Sequence, residues 1–220
     1  HLYNFFVADE PQVPAWQDTP PQDPAAIEML EAEYFRSNYD LASMLRVLFN
    51  SEFFKKSRFT KVKSPAELVV GVMRLVDDFT TPKPNMHEIT LASAYMGQDL
   101  LNPPTVEGWH TGKEWIDGGT LTERVNYAVV TLNDPKKPGV KAIIDRVRAS
   151  GQIAPNELVN KLLELSGSLE VDAATRDVLI AHAESEGELD WSSGSAIEAS
   201  TTRVVRMLTL VVATREYQFA

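Results

Sequence analysis

Apolar side chains recur along this chain at spacings of three and four. Leu41, Met44, Leu45, Leu48 and Phe49 stand at i, i+3, i+4, i+7 and i+8, one face of a helix, with Asp40 placed to cap it. Phe53 and Phe54 carry the apolar material into the next turn. Ser64, Pro65 and Glu67 fall at N-cap, N1 and N3, a capping box, and Leu68, Val69, Val72, Leu75, Val76 and Phe79 form the stripe behind it. The run Thr80, Thr81, Pro82, Lys83, Pro84 ends that helix. Residues 86–100 predict another, with Gly97 in its C-terminal turn. Thr120 with Glu123 predicts a second capping box, opening a helix that carries Val125, Ala128, Val129 and Leu132.

Before these elements, Leu2 to Val7 reads as helical, and residues 9–24 hold Pro11, Pro14, Pro20, Pro21 and Pro24 and read as a connection. Asp23-Pro24 then supplies a cap and a first-turn proline for a helix over 24–37. Beyond the break at 133–138, residues 139–149, 155–165, 172–186 and 196–213 all favour helix, and the polar stretch 184–195 reads as a mobile loop. No fixed-period repeat and no alternating pattern asks for a sheet. The expected fold is all-α: an irregular multi-helix bundle with one long Pro/Gly/Trp-rich loop. Its expected organisation is 1–8 as the end of a helix, 9–24 as the connection, 25–132 as a helical core with the loop at 99–119, and 133–220 as a C-terminal helical region.

Composition narrows the function classes. The 220 residues are 44% hydrophobic and 24% charged, an ordinary globular mix. With 31 acidic against 21 basic residues the net charge is -10. That surface is unsuited to the counterion release that drives nucleic-acid binding, so no nucleic-acid partner is expected. Cysteine is absent, which removes disulfides, thiol catalysis and thiolate metal sites. No transmembrane segment is expected either: the most apolar run, 204–213, is short and contains Arg206. The chain opens on His1 inside a helical run, which reads as a start within a larger polypeptide.

Three segments carry a family likeness. The first is 41–52 leading into Val62-Lys63-Ser64-Pro65 and its helix. The second runs from Met96-Gly97-Gln98 through Pro103-Pro104-Thr105-Val106-Glu107-Gly108-Trp109, Gly112 and Trp115-Ile116 to Leu121, Arg124 and Asn126. The third is Arg215-Glu216-Tyr217-Gln218-Phe219. Together they resemble the C-terminal half of the bacterial family catalogued as domain of unknown function 1800, closely over 1–130 and loosely over 139–200. His110 departs from the pattern, since the family usually has proline after the tryptophan. The resemblance implies a larger exported protein, periplasmic or extracellular, whose N-terminal half is a partner for this chain. It also implies a sulfatase-like protein as a possible second partner. It carries no catalytic role to any residue.

Chemistry gathers only in the loop 102–119, where Glu107, His110, Lys113, Glu114 and Asp117 interleave with Trp109 and Trp115. Three readings stand. The prolines and glycines set a backbone path and the tryptophans anchor it, giving a structural or protein-interaction element. Alternatively Trp109 and Trp115, with His110, present indole faces to a glycan. Alternatively Glu107, His110 and Glu114 hold a divalent metal as part of a metal-dependent or hydrolytic enzyme completed by the N-terminal half. No cofactor is otherwise expected, and the spacing matches no known metal motif. His87 and His182 read as surface or capping residues. No nucleophile elbow, zinc helix, phosphate loop or calcium loop occurs.

Overall fold

The structure is a computed structural model and describes every residue except Gln12, Asn85, His110 and the side chain of Pro14. Its described residues form eleven α-helices and no strand. The chain divides into two compact units, residues 1–62 with 219–220, and residues 63–218.

The first unit contains α1 (Leu2–Phe6), α2 (Pro24–Arg36), α3 (Leu41–Asn50) and α4 (Glu52–Lys56). Tyr3, Val7, Ala26, Leu30 and Leu48 make its core, with Met44, Val47, Phe53 and Phe54 packed against them. The proline-rich connection is tied down by a carboxylate. Glu10, nearly buried, accepts from the amides of Gln22 and Asp23 at 2.7 Å each. Asp23 in turn caps α2 by accepting from the Ala26 amide, and it accepts from the Tyr3 hydroxyl at 3.2 Å. Burial and these two acids push the Tyr3 phenol up to about 12. At the far end of this unit, Val62 pairs antiparallel with Phe219.

The second unit contains α5 (Pro65–Val76), α6 (His87–Tyr95), α7 (Gly118–Leu132), α8 (Pro138–Arg148), α9 (Pro155–Leu165), α10 (Ala173–Ser185) and α11 (Gly194–Ala213). α11 is the central element and touches α7, α8, α9 and α10. Its Val204, Val205, Met207, Leu208, Val211 and Val212 are buried, each contributing about 1.5–3 kcal/mol of transfer free energy. α5 packs against α6, α7 and α8. The capping box at Ser64 forms as expected: its hydroxyl accepts from the Glu67 amide at 3.2 Å, and the Glu67 carboxylate accepts from the Ser64 amide at 2.6 Å.

Three expectations need correction. The helix expected over 86–100 stops at Tyr95, with Met96 as its C-cap. α7 begins one turn earlier than Thr120, because Asp117 is the N-cap and accepts from the Thr120 amide. Aspartate caps as well as threonine does, so Gly118 and Gly119 become helical and Thr120 falls at N3. The segment 184–195 is also less free than its polarity suggests. The Arg203 guanidinium donates to the carbonyls of Gly187 and Glu188, Arg206 pairs with Glu186, and Leu189 is buried. Ser200 donates to the Asp190 carbonyl at 2.7 Å and accepts from its amide at 2.8 Å.

Candidate functional site

Parts of the motif segments lie in the second unit, where Lys63, Arg124 and Gln218 come together. α6 ends in a Schellman motif: the Gln98 amide donates to the Ser93 carbonyl at 2.8 Å and the Gly97 amide to that of Ala94 at 2.9 Å. Gly97 sits at φ 96°, the left-handed region that glycine tolerates. A Cβ on Gly97 would lie 3.8 Å from Cδ1 of Trp115 and 3.9 Å from Cγ2 of Thr120, so the turn is packed between them. The turn also aims the Gln98 side chain at α5, where its Oε1 accepts from the Ala66 amide at 2.9 Å. The first turn of α5 is thus capped twice, by Ser64 and by Gln98.

Between α6 and α7 the chain makes short local structures. Asp99 uses its carbonyl to accept from Trp109 Nε1 at 3.0 Å and its carboxylate to accept from Asn102 at 2.8 Å. Thr105 and Gly108 close a tight turn, with the Gly108 amide donating to Thr105 O at 3.1 Å and Gly108 at φ 104°. Glu107, at the tip, is exposed. A 3₁₀ segment, Gly112–Ile116, then carries Trp115 inward. Trp115 is 7% exposed and its Nε1 has no partner among the described residues, whereas Trp109 is half-buried. Glu114 is exposed on the same segment. His110 lies outside the described residues, so its part in a ligand or metal site is not placed. Among the described residues no group of three or more His, Cys, Asp or Glu is arranged to hold a metal ion. His87 is exposed at the start of α6, and His182 faces Glu186 at 3.7 Å.

The most unusual chemistry belongs to residues that the sequence placed in motifs but gave no role. Arg124, on α7, has no exposed surface. Its Nε donates to Gln218 Oε1 at 2.9 Å and its Nη2 to the Lys63 carbonyl at 2.8 Å. Lys63 donates from Nζ to the Tyr217 carbonyl at 2.8 Å, and its ammonium lies 4.5 Å from the Tyr217 ring centroid. Loss of hydration and the neighbouring Arg124 charge pull the Lys63 amine down to about 8, while burial pulls Arg124 down to about 10. The signal was available in part: a lysine, an arginine and a glutamine each stand beside apolar motif positions.

A separate surface feature lies between α6 and α7. It is an open groove of about 550 Å³, bordered by Met86, Ile89, Tyr95, Asn126, Tyr127 and Val130. Tyr95 and Val130 are 69% and 73% exposed, large apolar surface beside the groove.

Among the described residues no helix is long and apolar enough to cross a membrane. No curated protein and no solved structure matches the chain. The family model described as "Protein of unknown function (DUF1800)" matches residues 1–219, including the 139–200 stretch where the motifs are sparse, and the chain belongs to that family.

Proposed function

We propose that this chain is the helical C-terminal part of a larger exported protein and serves a structural or protein-interaction role. The observation that carries the reading is where the motif side chains go. Ser64, Gln98, Gly97, Trp115 and Arg124 are used on helix caps, a left-handed turn and the interior, while Met96 and Asn126 of the same motif segment line the groove between α6 and α7. The open groove between α6 and α7 combines exposed apolar side chains, Tyr95 and Val130, with the charged Lys83, Glu88, Glu123 and Lys137, a mixture suited to receiving a protein partner. The periplasm or cell exterior is the setting implied by the family likeness.

The test uses the intact protein purified from its source with its native associates. Tyr95→Ala combined with Val130→Glu leaves the helix melting transition in place and releases the associated proteins, read by native mass measurement. An unchanged native complex refutes the groove as the contact. A turnover abolished by Glu107→Gln or Glu114→Gln in the same preparation would replace the reading with an enzymatic one.

A further inference from the structure

The basic side chains of this chain are not spread evenly. Lys55, Lys56, Arg58 and Lys61 fall within seven residues that contain no acid, in a chain whose net charge is -10. Lys55, Lys56 and Arg58 are exposed and Lys61 is half-buried. Two acids stand beside the run. Glu52 pairs with Lys55 at 2.9 Å, and Asp9 accepts from the Val62 amide at 2.9 Å. Four cations against these two acids leave this part of the first unit positive.

Next to the run lies a row of phenylalanines. Phe5 meets Phe6 at 4.7 Å between ring centroids, Phe6 meets Phe49 at 5.1 Å and Phe49 meets Phe54 at 5.1 Å. Phe5, Phe6 and Phe49 are 68%, 36% and 41% exposed. The row joins the basic run at both ends: Lys61 Nζ lies 5.5 Å from the Phe5 ring centroid, and Phe54 shares α4 with Lys55 and Lys56. Exposed apolar rings rimmed by one sign of charge mark a contact surface.

The chemistry of the patch selects its partner. Neighbouring rings are inclined at 75°, 82° and 68°, edge to face, so the row does not offer the parallel faces on which nucleic-acid bases stack. A phenyl ring has no hydrogen-bonding group, so nothing in the row fixes a directional contact. Protein interfaces favour arginine and are poor in lysine, whereas three of these four cations are lysines. Phenylalanine with clustered lysine is the composition of surfaces that lie on anionic bilayers.

We propose that this patch seats the first unit on a bilayer carrying anionic phospholipid headgroups. The phenylalanine row enters the boundary between headgroups and acyl chains, and the four cations meet the lipid phosphates. The partner groove belongs to the second unit, so this contact does not depend on it.

The test is flotation of the intact protein with two kinds of vesicle, phosphatidylcholine alone and phosphatidylcholine mixed with phosphatidylglycerol. Binding is expected to the mixed vesicles only, and is expected to weaken as salt is added. Lys55→Gln with Lys56→Gln changes two exposed side chains and is expected to lower the affinity about thirtyfold, at the strength lysines have near an anionic surface. Phe5→Ser keeps the charge and removes the most exposed ring of the row, with an expected loss of at least about tenfold. Melting curves establish that each variant is folded. No flotation with either vesicle overturns the proposal and gives the patch to another partner. Equal flotation with both, or a folded lysine variant that binds as wild type does, overturns it as well. Full binding by a folded Phe5→Ser protein reduces the contact to charge alone and overturns the insertion. If Phe5→Ser does not fold, the two vesicles and the lysine variant decide.

Discussion

Gly139 gives a sharp test of the packing between α5 and α8. It is the second residue of α8, and a Cβ built there would lie 2.0 Å from the Leu75 carbonyl oxygen and 2.8 Å from the Val76 carbonyl carbon. Real Cβ atoms keep at least 3.0 Å, so Gly139→Ala forces α8 away from the last turn of α5 by about 1 Å. Both atoms it meets are backbone, so no rotamer change relieves the clash. Overpacking of this kind costs about 1–3 kcal/mol, against a gain of about 0.4–1 kcal/mol from the stiffer unfolded chain. The net loss spans roughly 0 to 2.6 kcal/mol, with a midpoint near 1.3, which lowers the melting temperature by about 3–5 °C at that midpoint. Gly71 is the control. It lies within α5 itself, exposed, with no atom within 4 Å of its hypothetical Cβ. Gly71→Ala therefore raises stability by about 0.5–1 kcal/mol through helix propensity. Calorimetry and far-ultraviolet circular dichroism on both variants read the signs. A Gly139→Ala protein that gains as much stability as Gly71→Ala would refute the close approach of the two helices.

Lys63 predicts a rise of stability with pH. Its folded-state amine titrates at about 8 and an unfolded lysine at 10.5, so between those values the unfolded chain binds more protons and stability climbs with pH. Urea midpoints at increasing pH from 7.5 to 10 check this, and Lys63→Met flattens the slope; Arg124 acts in the same direction higher up. The two loop tryptophans separate by burial: Trp115→Ala costs about 3–5 kcal/mol, while Trp109→Phe loses one hydrogen bond to Asp99, about 0.5–1.5 kcal/mol. Equal urea midpoints for those two variants would contradict the inward placement of Trp115.

Much of the helical plan was legible because helices announce themselves locally. Ser64, Pro65 and Glu67 lie within four positions and fix the start of α5 without help from elsewhere. α7 shows the limit of such reading. Asp117 and Thr120 are both good caps three residues apart, and the choice between them was settled for Asp117, whose carboxylate also accepts from the Thr120 hydroxyl at 2.9 Å. The family was legible in Met-Gly-Gln, Trp-Ile and the closing segment. The buried cluster was not, because its members come from positions 63, 124 and 218, and no spacing rule joins residues separated by 61 and 94 positions. Trp115 was legible as an anchor or a platform, and only its burial decides how much indole surface faces solvent.

The double capping of α5 carries this further. One of its first-turn amides is satisfied by Ser64, next in sequence, and another by Gln98, which is 32 residues away and held in place by the left-handed turn at Gly97. That turn is packed against Trp115 and Thr120, which belong to the 3₁₀ segment and to α7. A disturbance of the loop therefore reaches α5 through Gln98 without touching any residue of α5 directly. It also reaches Arg124, one turn along α7 from Thr120, and through Arg124 the Lys63 carbonyl just ahead of Ser64. Two routes from the motif loop end within four residues of one another at the start of the same helix. The loop and the α5 N-terminus are thus expected to gain or lose order together, which is the behaviour of a scaffold joint.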